Sequence, residues 1–342
     1  MSVLHLLGSG GEGGAELYFV QLVSALRAGG PDQAAALRQN PGREKALAAA
    51  GVAARTFTFG GPIDFWTRPG VSAMAKDVGA KLLVAWMNRA ARHTPKGPWA
   101  RVGRLGGYYK LKNYRDFDHL VGNTQDIVDW VVAQGWPADK VRYIPNFAAA
   151  PDEVTPVDRA SLDTPEGVPL LLGMGRLHTA KAHDISLKAL KALPDAHLWI
   201  AGVGPLEEQL KALAVSLGVL DRVRFLGWRR DASALYRTAD VCLFPSRYEP
   251  LGNVVIQAWA HGLPVVAADS QGPKALIRDG QDGLLIPIDD EDALASRTAA
   301  LLADPMQRIR LIQNGHARVE AEFSQAAVCG QWNQLFAQFG AA

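Results

Sequence analysis

The stretch DVCLFPSRYEPLGNVVIQAWAHGLPVVAAD, residues 240–269, carries the fold in miniature. "DVCLFPS" is an apolar run of strand length that ends in a proline and a serine. "RYEPLG" breaks it with Pro250 and Gly252, apolar residues then recur at helical spacing to Gly262, and "LPVVAAD" is a second apolar run. Two buried runs joined by one helix make a β–α–β unit, in which the strands must lie parallel and be covered on both faces. At the mouth of the helix stands a carboxylate, Glu249, and eight residues later, inside the helix, comes Gln257. What an acid and an amide in those places would hold depends on the rest of the chain.

The same alternation continues in both directions. "PLLLGMG", "AHLWIAG", "VRFLGW" and "DGLLIPI" read as further strands of the second half, each separated from the next by a helical pattern. In the first half "SVLHLLG", "QAAALR", "ARTFTF", "AKLLVAW", "RVGRLGG", "FDHLVGN" and "KVRYIPN" are strand-like. "GAELYFVQLVSALRAGG" predicts a helix stopping at Gly29-Gly30, and "NTQDIVDWVVAQGW" one capped by Asn123 or Thr124 and stopped by Gly135. Residues 148–168, rich in Pro, Asp, Glu and Thr, are the expected linker between two doubly wound domains. Ligands of such sheets sit beyond the strand C-ends. A chain of 342 residues, 48% hydrophobic and 20% charged, has material for two such cores.

No apolar run is long enough to span a membrane, and the N-terminal "MSVLHLLGSGG" reads as a first strand, not a secretion signal. Cys242 and Cys329 lack metal or redox spacing, which suits two buried thiols in a reducing, cytoplasmic setting. Charge is uneven: residues 1–150 hold 18 Lys/Arg against 11 Asp/Glu, the remainder 18 against 23. From Val78 to Arg115 there are nine cations and no acid, with aromatic residues interleaved. Such a field attracts anions such as phosphates or lipid headgroups; its bland reading is a solvated surface loop.

Three further features bear chemistry. In "GSGGEGGAE" Gly8, Gly10 and Gly13 match the dinucleotide pattern between a strand and a helix, with Arg38 where a 2′-phosphate would lie. An NADP-dependent oxidoreductase therefore stands as an alternative. In "LLLGMGRLHTAKAHD" a strand ends at Gly173-Met174-Gly175 and is followed by Arg176 and Lys181, a fork and a point charge able to clamp a diphosphate. "IAGVGPLEEQL" adds a Gly202-x-Gly204 turn to the same end of the sheet. With these in place, the amides around Gly252 and Asn253 read as free donors to phosphate, Glu249 as an acceptor for sugar hydroxyls, and Gln257 as a ribose partner.

"GRLHTAK", "YEPLGNVVIQAWAHGLPVVA", "DGLLIPIDD" and the N-terminal "GGAE" resemble the retaining glycosyltransferases of family 4 over essentially the whole chain. The basic "WMNRAAR" and "RLGGYYKLKNYR" resemble bacterial members that build lipopolysaccharide core or other surface glycans. The resemblance implies the α/β GT-B fold, two Rossmann-like doubly wound domains facing a central cleft. It implies an acceptor domain over 1–155, a nucleotide-sugar donor domain over 165–322, and a C-terminal helix within 323–342 returning to the first domain. Arg176, Lys181 and Glu249 take the catalytic roles; Gly13, Gly14, Gly175, Gly202, Gly204, Leu251, Gly252, Asn253 and Gln257 the donor-binding ones.

Asn88, Arg89, Arg104, Tyr108, Tyr109 and Lys112 are the acceptor-side candidates. The expected partners are a nucleotide sugar and an anionic glycan or glycolipid, with peripheral contact to anionic inner-membrane lipid and no nucleic acid. A non-catalytic or epimerase nucleotide-sugar binder of the same fold is a further alternative. Two departures from the family pattern stand out: Gln257 replaces the second Glu of the Glu-x7-Glu pair, and Gly106 or Gly107 stands where many members have a histidine. His93 reads as a solvent-exposed loop residue. Asp116-Phe117-Asp118 fits D-x-D but reads as a strand-edge turn, and Asp289 or Asp290 as a helix cap. No metal and no cofactor are therefore expected.

Overall fold

The computed structural model describes residues 2–11, 13–61, 63–148 and 153–341. The chain forms two compact units, Met1–Asn146 with Gln325–Ala342, and Phe147–Ser324. The first contains β1 (Ser2–Leu7), α1 (Gly14–Gly29), β2 (Asp32–Arg38), α2 (Pro41–Ala49), β3 (Ala53–Phe57), α3 (Thr67–Asp77), β4 (Ala80–Trp86), α4 (Met87–His93), β5 (Ala100–Leu105), β6 (His119–Gly122), α5 (Gln125–Ala133) and β7 (Val141–Tyr143). Its sheet runs β3-β2-β1-β4-β5-β6-β7, and every pair is parallel. β1 is buried along its whole length because helices cover both sheet faces, which is why it reads as a continuous apolar run. Thr124 caps α5, its hydroxyl accepting the Ile127 N–H at 3.1 Å.

The second unit contains β8 (Leu170–Met174), α6 (His183–Lys191), β9 (His197–Ala201), α7 (Glu207–Ser216), β10 (Val223–Gly227), α8 (Ala232–Thr238), β11 (Val241–Phe244), α9 (Asn253–Ala260), β12 (Val265–Ala268), α10 (Gln271–Leu276), β13 (Leu284–Ile286), α11 (Glu291–Ala303) and α12 (Pro305–Arg318). Its order is β10-β9-β8-β11-β12-β13, again wholly parallel. Successive residues feed opposite cores: Leu171, Val241 and Leu243 join one apolar cluster, Leu170, Leu172, Cys242 and Phe244 the other. Asp290 caps α11 by accepting the Ala293 N–H at 2.8 Å.

A last helix, α13 (Gln325–Gln338), belongs to the first unit. Its stripe Val328, Trp332, Leu335 and Phe336 is buried, and the Phe336 ring meets the His5 ring edge-on at 6.4 Å between centroids.

Three expectations need correction. Much of the expected linker is fixed onto the second unit: Val157 N–H donates to Thr238 Oγ1, and Arg159 donates to the carbonyls of Val168 and Thr238 and to Asp240. Residues 149–152 lie outside the described residues. The unit boundary thus falls at Asn146/Phe147, not near 155–165. The basic stretch from Val78 to Arg115 is not a surface loop but β4, α4, β5 and a short turn of 3₁₀ helix. His93 is buried at the end of α4, with a ring nitrogen 3.1 Å from the Gly60 carbonyl. Among the described residues no helix is long and apolar enough to cross a membrane. Cys242 is buried and Cys329 half-buried.

Each unit also buries a neutral histidine. Trp86 Nε1–H donates to His5 Nδ1, so His5 Nε2 carries the proton and donates to Gln33 Oε1 at 2.8 Å. Burial pushes the His5 pKa down to about 4, against a smaller upward effect of Gln33. His183 behaves alike, burial lowering it to about 4. A lowered folded-state value means that the unfolded chain binds the proton more readily. Stability is therefore full above pH 6.5 and declines toward pH 4, on the order of 3 kcal/mol for each such group. The thermal midpoint should fall across that range, and the decline should be shallower in His5→Gln.

Candidate functional site

In each sheet the strand order reverses once, between β1 and β4 and between β8 and β11. Beyond the C-ends of those strands the connecting helices diverge to opposite faces and leave a crevice. In the second unit the loops after β8 and β11 meet there. Lys181 and Glu249 join across it: Lys181 Nζ donates to Glu249 Oε2, and both side chains are largely shielded, 23% and 11% exposed. Glu249 Oε1 accepts the N–H groups of Gly252 and Leu251, at 3.1 and 3.3 Å. The ammonium also lies 5.4 Å from the Phe244 ring centroid, and the Lys181 stem lies within reach of Gly175. One carboxylate is thus oriented through both oxygens.

Arg247 braces this arrangement from outside. It grips Asp184 through two nitrogens, at 2.9 and 2.6 Å, and also donates to Asp289 and to the Thr179 carbonyl. Tyr248 N–H adds a backbone bond to the Ala180 carbonyl. Arg176 stands on the same loop, exposed, and no described residue accepts a hydrogen bond from its guanidinium. Gly202 and Gly204 serve close approach. A Cβ on Gly202 would fall 1.9 Å from the Gly175 carbonyl oxygen, and one on Gly204 2.2 Å from that of Leu177. They let the β9 loop press on the β8 loop.

The reading of the Gly252 amide as a free donor is corrected. Gly252, at φ +78°, is the left-handed residue before α9 and folds its own amide and that of Leu251 onto Glu249. Asn253 opens α9, and Gln257 lies one turn on, roughly 6 Å along the axis and half-buried.

The first unit has its own crevice at the β1/β4 reversal, a cavity of about 330 Å³ lined by the glycine loop, Arg38, Asn88, Arg89 and Tyr109. Arg43 pins the loop from beneath, donating to the carbonyls of Ser9 and Gly11, both at 2.8 Å. Gly13 precedes α1, and a Cβ there would meet only the Glu16 carboxylate. Around Gly14 such an atom would meet nothing within 4 Å. Packing does not require glycine at position 14, and open space in front of the helix start is what a ligand approach needs. Residue 12 lies outside the described residues.

Not all acceptor-side candidates gather at this cavity. Arg104 is corrected: it is 2% exposed, its guanidinium 4.7 Å from the Trp86 ring centroid, and it donates to Asn146 at 2.6 Å. A Cβ on Gly106 would lie 2.8 Å from Arg104 Nη1, so the guanidinium fills the place a side chain at 106 would take. Tyr108 turns away, its hydroxyl donating to Asp126 and its ring against Trp130. Lys112 lines a different groove. Asp116 and Asp118 are spent on neighbours, the former on Lys96 at 2.7 Å and the latter on the Arg101 N–H at 2.8 Å.

Comparison with known proteins decides the lineage. Residues 154–318 match the family of glycosyl transferases group 1. Over 341 residues the chain is 36% identical to the lipopolysaccharide core biosynthesis glycosyltransferase LpsE of Rhizobium meliloti strain 1021, covering 98% of this chain and 99% of the relative. The chain belongs to the group 1 glycosyl transferases. A second such protein of that strain, LpsD, is 34% identical over 98% of both chains. The crystal structure of Anabaena HepE in complex with UDP superposes with a TM-score of 0.84 over 99% of this chain and 100% of that one, at 22% identity, a likeness of fold. Two parallel Rossmann-like sheets make the architecture of this group 1 glycosyl transferase GT-B. The oxidoreductase alternative finds no support in these matches.

Sequence reasoning gave no role to Arg43, Asp184 or Arg247. Arg247 and Asp184 stand 63 positions apart, and Arg43 acts on carbonyls more than thirty positions upstream. No spacing rule signals such contacts. Arg247→Lys in this transferase removes the two-pronged grip on Asp184 while keeping the charge. The Michaelis constant for the donor should rise several-fold with the thermal midpoint little changed, measured by initial rates and calorimetry.

Proposed function

We propose that the chain is a retaining glycosyltransferase of family 4 that moves a sugar from a nucleoside diphosphate donor to a hydroxyl of a lipopolysaccharide core acceptor. The observation that carries this reading is the Lys181–Glu249 pair at the β8/β11 crevice, with Arg176 exposed on the loop after β8. Arg176 and Lys181 hold the diphosphate. An ammonium has three protons, so Lys181 can keep Glu249 and still donate to phosphate oxygens. Glu249, oriented by two backbone amides, accepts from hydroxyls of the transferred sugar. Gln257 offers acceptor and donor groups to the ribose.

The bond from the anomeric carbon to the diphosphate oxygen breaks while a bond to the acceptor oxygen forms on the same face. The acceptor proton passes to the departing phosphate oxygen, and the two cations stabilise the charge that grows there. Those cations take the part that a divalent metal plays elsewhere, so chemistry proceeds without one. UDP in the HepE structure supports uridine donors as the first to test. The names of LpsE and LpsD support the core acceptor. The acceptor hydroxyl sits at the first unit's cavity, beside Asn88, Arg89 and Tyr109.

Arg176→Ala and Lys181→Ala should each lower turnover about 10²–10³-fold, and Arg176→Ala should melt like the wild type. Full turnover in either variant would end the clamp reading. Proton NMR of the product should show the anomeric configuration of the donor, and excess EDTA should leave the rate unchanged. An inverted product or a strict divalent-metal requirement would overturn those parts of the proposal.

A further inference from the structure

At the C-terminal end of α4, whose N-terminal end borders the small cavity, lies a second and larger concavity of about 780 Å³. Six cations converge on it from separate segments of the first unit: Arg68 of α3, Arg92 of α4, Lys96, Arg101 of β5, Lys112 and Arg115. Two carboxylates share the lining, and both are engaged. Asp64 is nearly inaccessible and accepts from Thr67, from the Gly60 N–H and from Thr58. Burial disfavours its charge, yet those bonds outweigh it and hold the carboxyl well below the usual range. Asp116 pairs with Lys96 at 2.7 Å. Arg92, Lys112 and Arg115 have no carboxylate within ion-pair distance among the described residues. Like charges gathered in a recess repel one another, and the recess focuses their field. An anion relieves that repulsion.

We propose that this groove binds the acidic sugars of the acceptor, through a carboxylate or phosphate carried on the glycan. The inference rests on the transferase reading in taking the ligand to be part of the acceptor. Shape favours a discrete ligand over a bilayer: the floor is formed by His93 and Phe117, 5% and 7% exposed, which a flat surface does not reach. The volume falls within the range of pockets that enclose small ligands, and an oligosaccharide of two or three units suits it. Phe65, 73% exposed on the lining, adds an aromatic surface on which a sugar can stack. Because the two ends of α4 border the two concavities, an acceptor can place an acidic residue in the groove and its reacting hydroxyl at Asn88 and Arg89. Ile63 and Trp66, each 83% exposed nearby in the chain, make a lipid control necessary.

The test is calorimetric titration of the full chain with trigalacturonate, with fructose 1,6-bisphosphate as the phosphate arm and maltotriose as a neutral sugar of similar size. At least one anionic sugar should bind, at least tenfold more weakly at 300 than at 50 mM salt, and maltotriose should not bind. The double variant Arg92→Gln, Arg115→Gln, changed only at exposed side chains, should bind at least tenfold more weakly. Binding of neither anion, equal binding by the double variant, or binding confined to phosphatidylglycerol vesicles would each overturn the assignment. Donor hydrolysis without acceptor, measured on the same two proteins, should be equal. Its absence from the wild type would count against the transferase reading alone, leaving the titration to judge the groove.

Discussion

The site in the second unit depends on one ion pair. Lys181 and Glu249 sit on loops from neighbouring strands, β8 and β11, and their contact joins the two sides of the crevice. A shielded pair of this kind costs desolvation on both sides and is a poor source of net stability. What it supplies is position. Glu249 has one oxygen on backbone N–H groups and the other on the ammonium, so neither oxygen is free to rotate away. Arg247 then ties the same two loops a second time through Asp184 and the Thr179 carbonyl. In the proposed reaction, charge that has to meet a developing diphosphate would already be in place, with little reorganisation needed when it acts.

The cations of the first unit divide into two kinds by what surrounds them. Arg43 and Arg104 are inside the fold, one satisfied by carbonyls of the glycine loop, the other by Asn146 and by the faces of Trp86 and Tyr18. They act as rigid struts beneath the crevice at the β1/β4 reversal. Arg68, Arg92, Lys112 and Arg115 remain exposed and line one recess. The uneven net charge of the two halves therefore has a structural counterpart in one recess, next to the short helix that also borders the smaller cavity.

Much of the architecture could be read from one dimension, because parallel sheets covered on both sides demand uninterrupted apolar runs. β1, β4, β8, β11 and β12 are such runs, and turn chemistry marks their ends. Caps were legible to within one residue, Asn123 or Thr124 and Asp289 or Asp290, since a cap acts on an amide three residues away, and Thr124 and Asp290 take the roles. Glu249, Lys181 and Arg176 could be picked out as candidates by residue type and by their place after strands. Errors arose where the partner lies far off in sequence. His93 and Arg104 look like surface residues by type, and only the arrival of Gly60, Trp86 and Asn146 buries them. The Pro- and Asp-rich stretch looks like a tether until Thr238 and Asp240 are seen to hold it.

Local rules reach about one turn of helix or one strand, and within that range the chain alone determined strand, helix and cap. Which amides remain to donate was settled in three dimensions, when the left-handed turn at Gly252 folded two of them onto Glu249. Tertiary structure also decided that Arg104 takes the space beside Gly106 and that six cations from separate segments share one recess. Those outcomes depend on packing between segments tens of residues apart, where distance along the chain carries no information about distance in space.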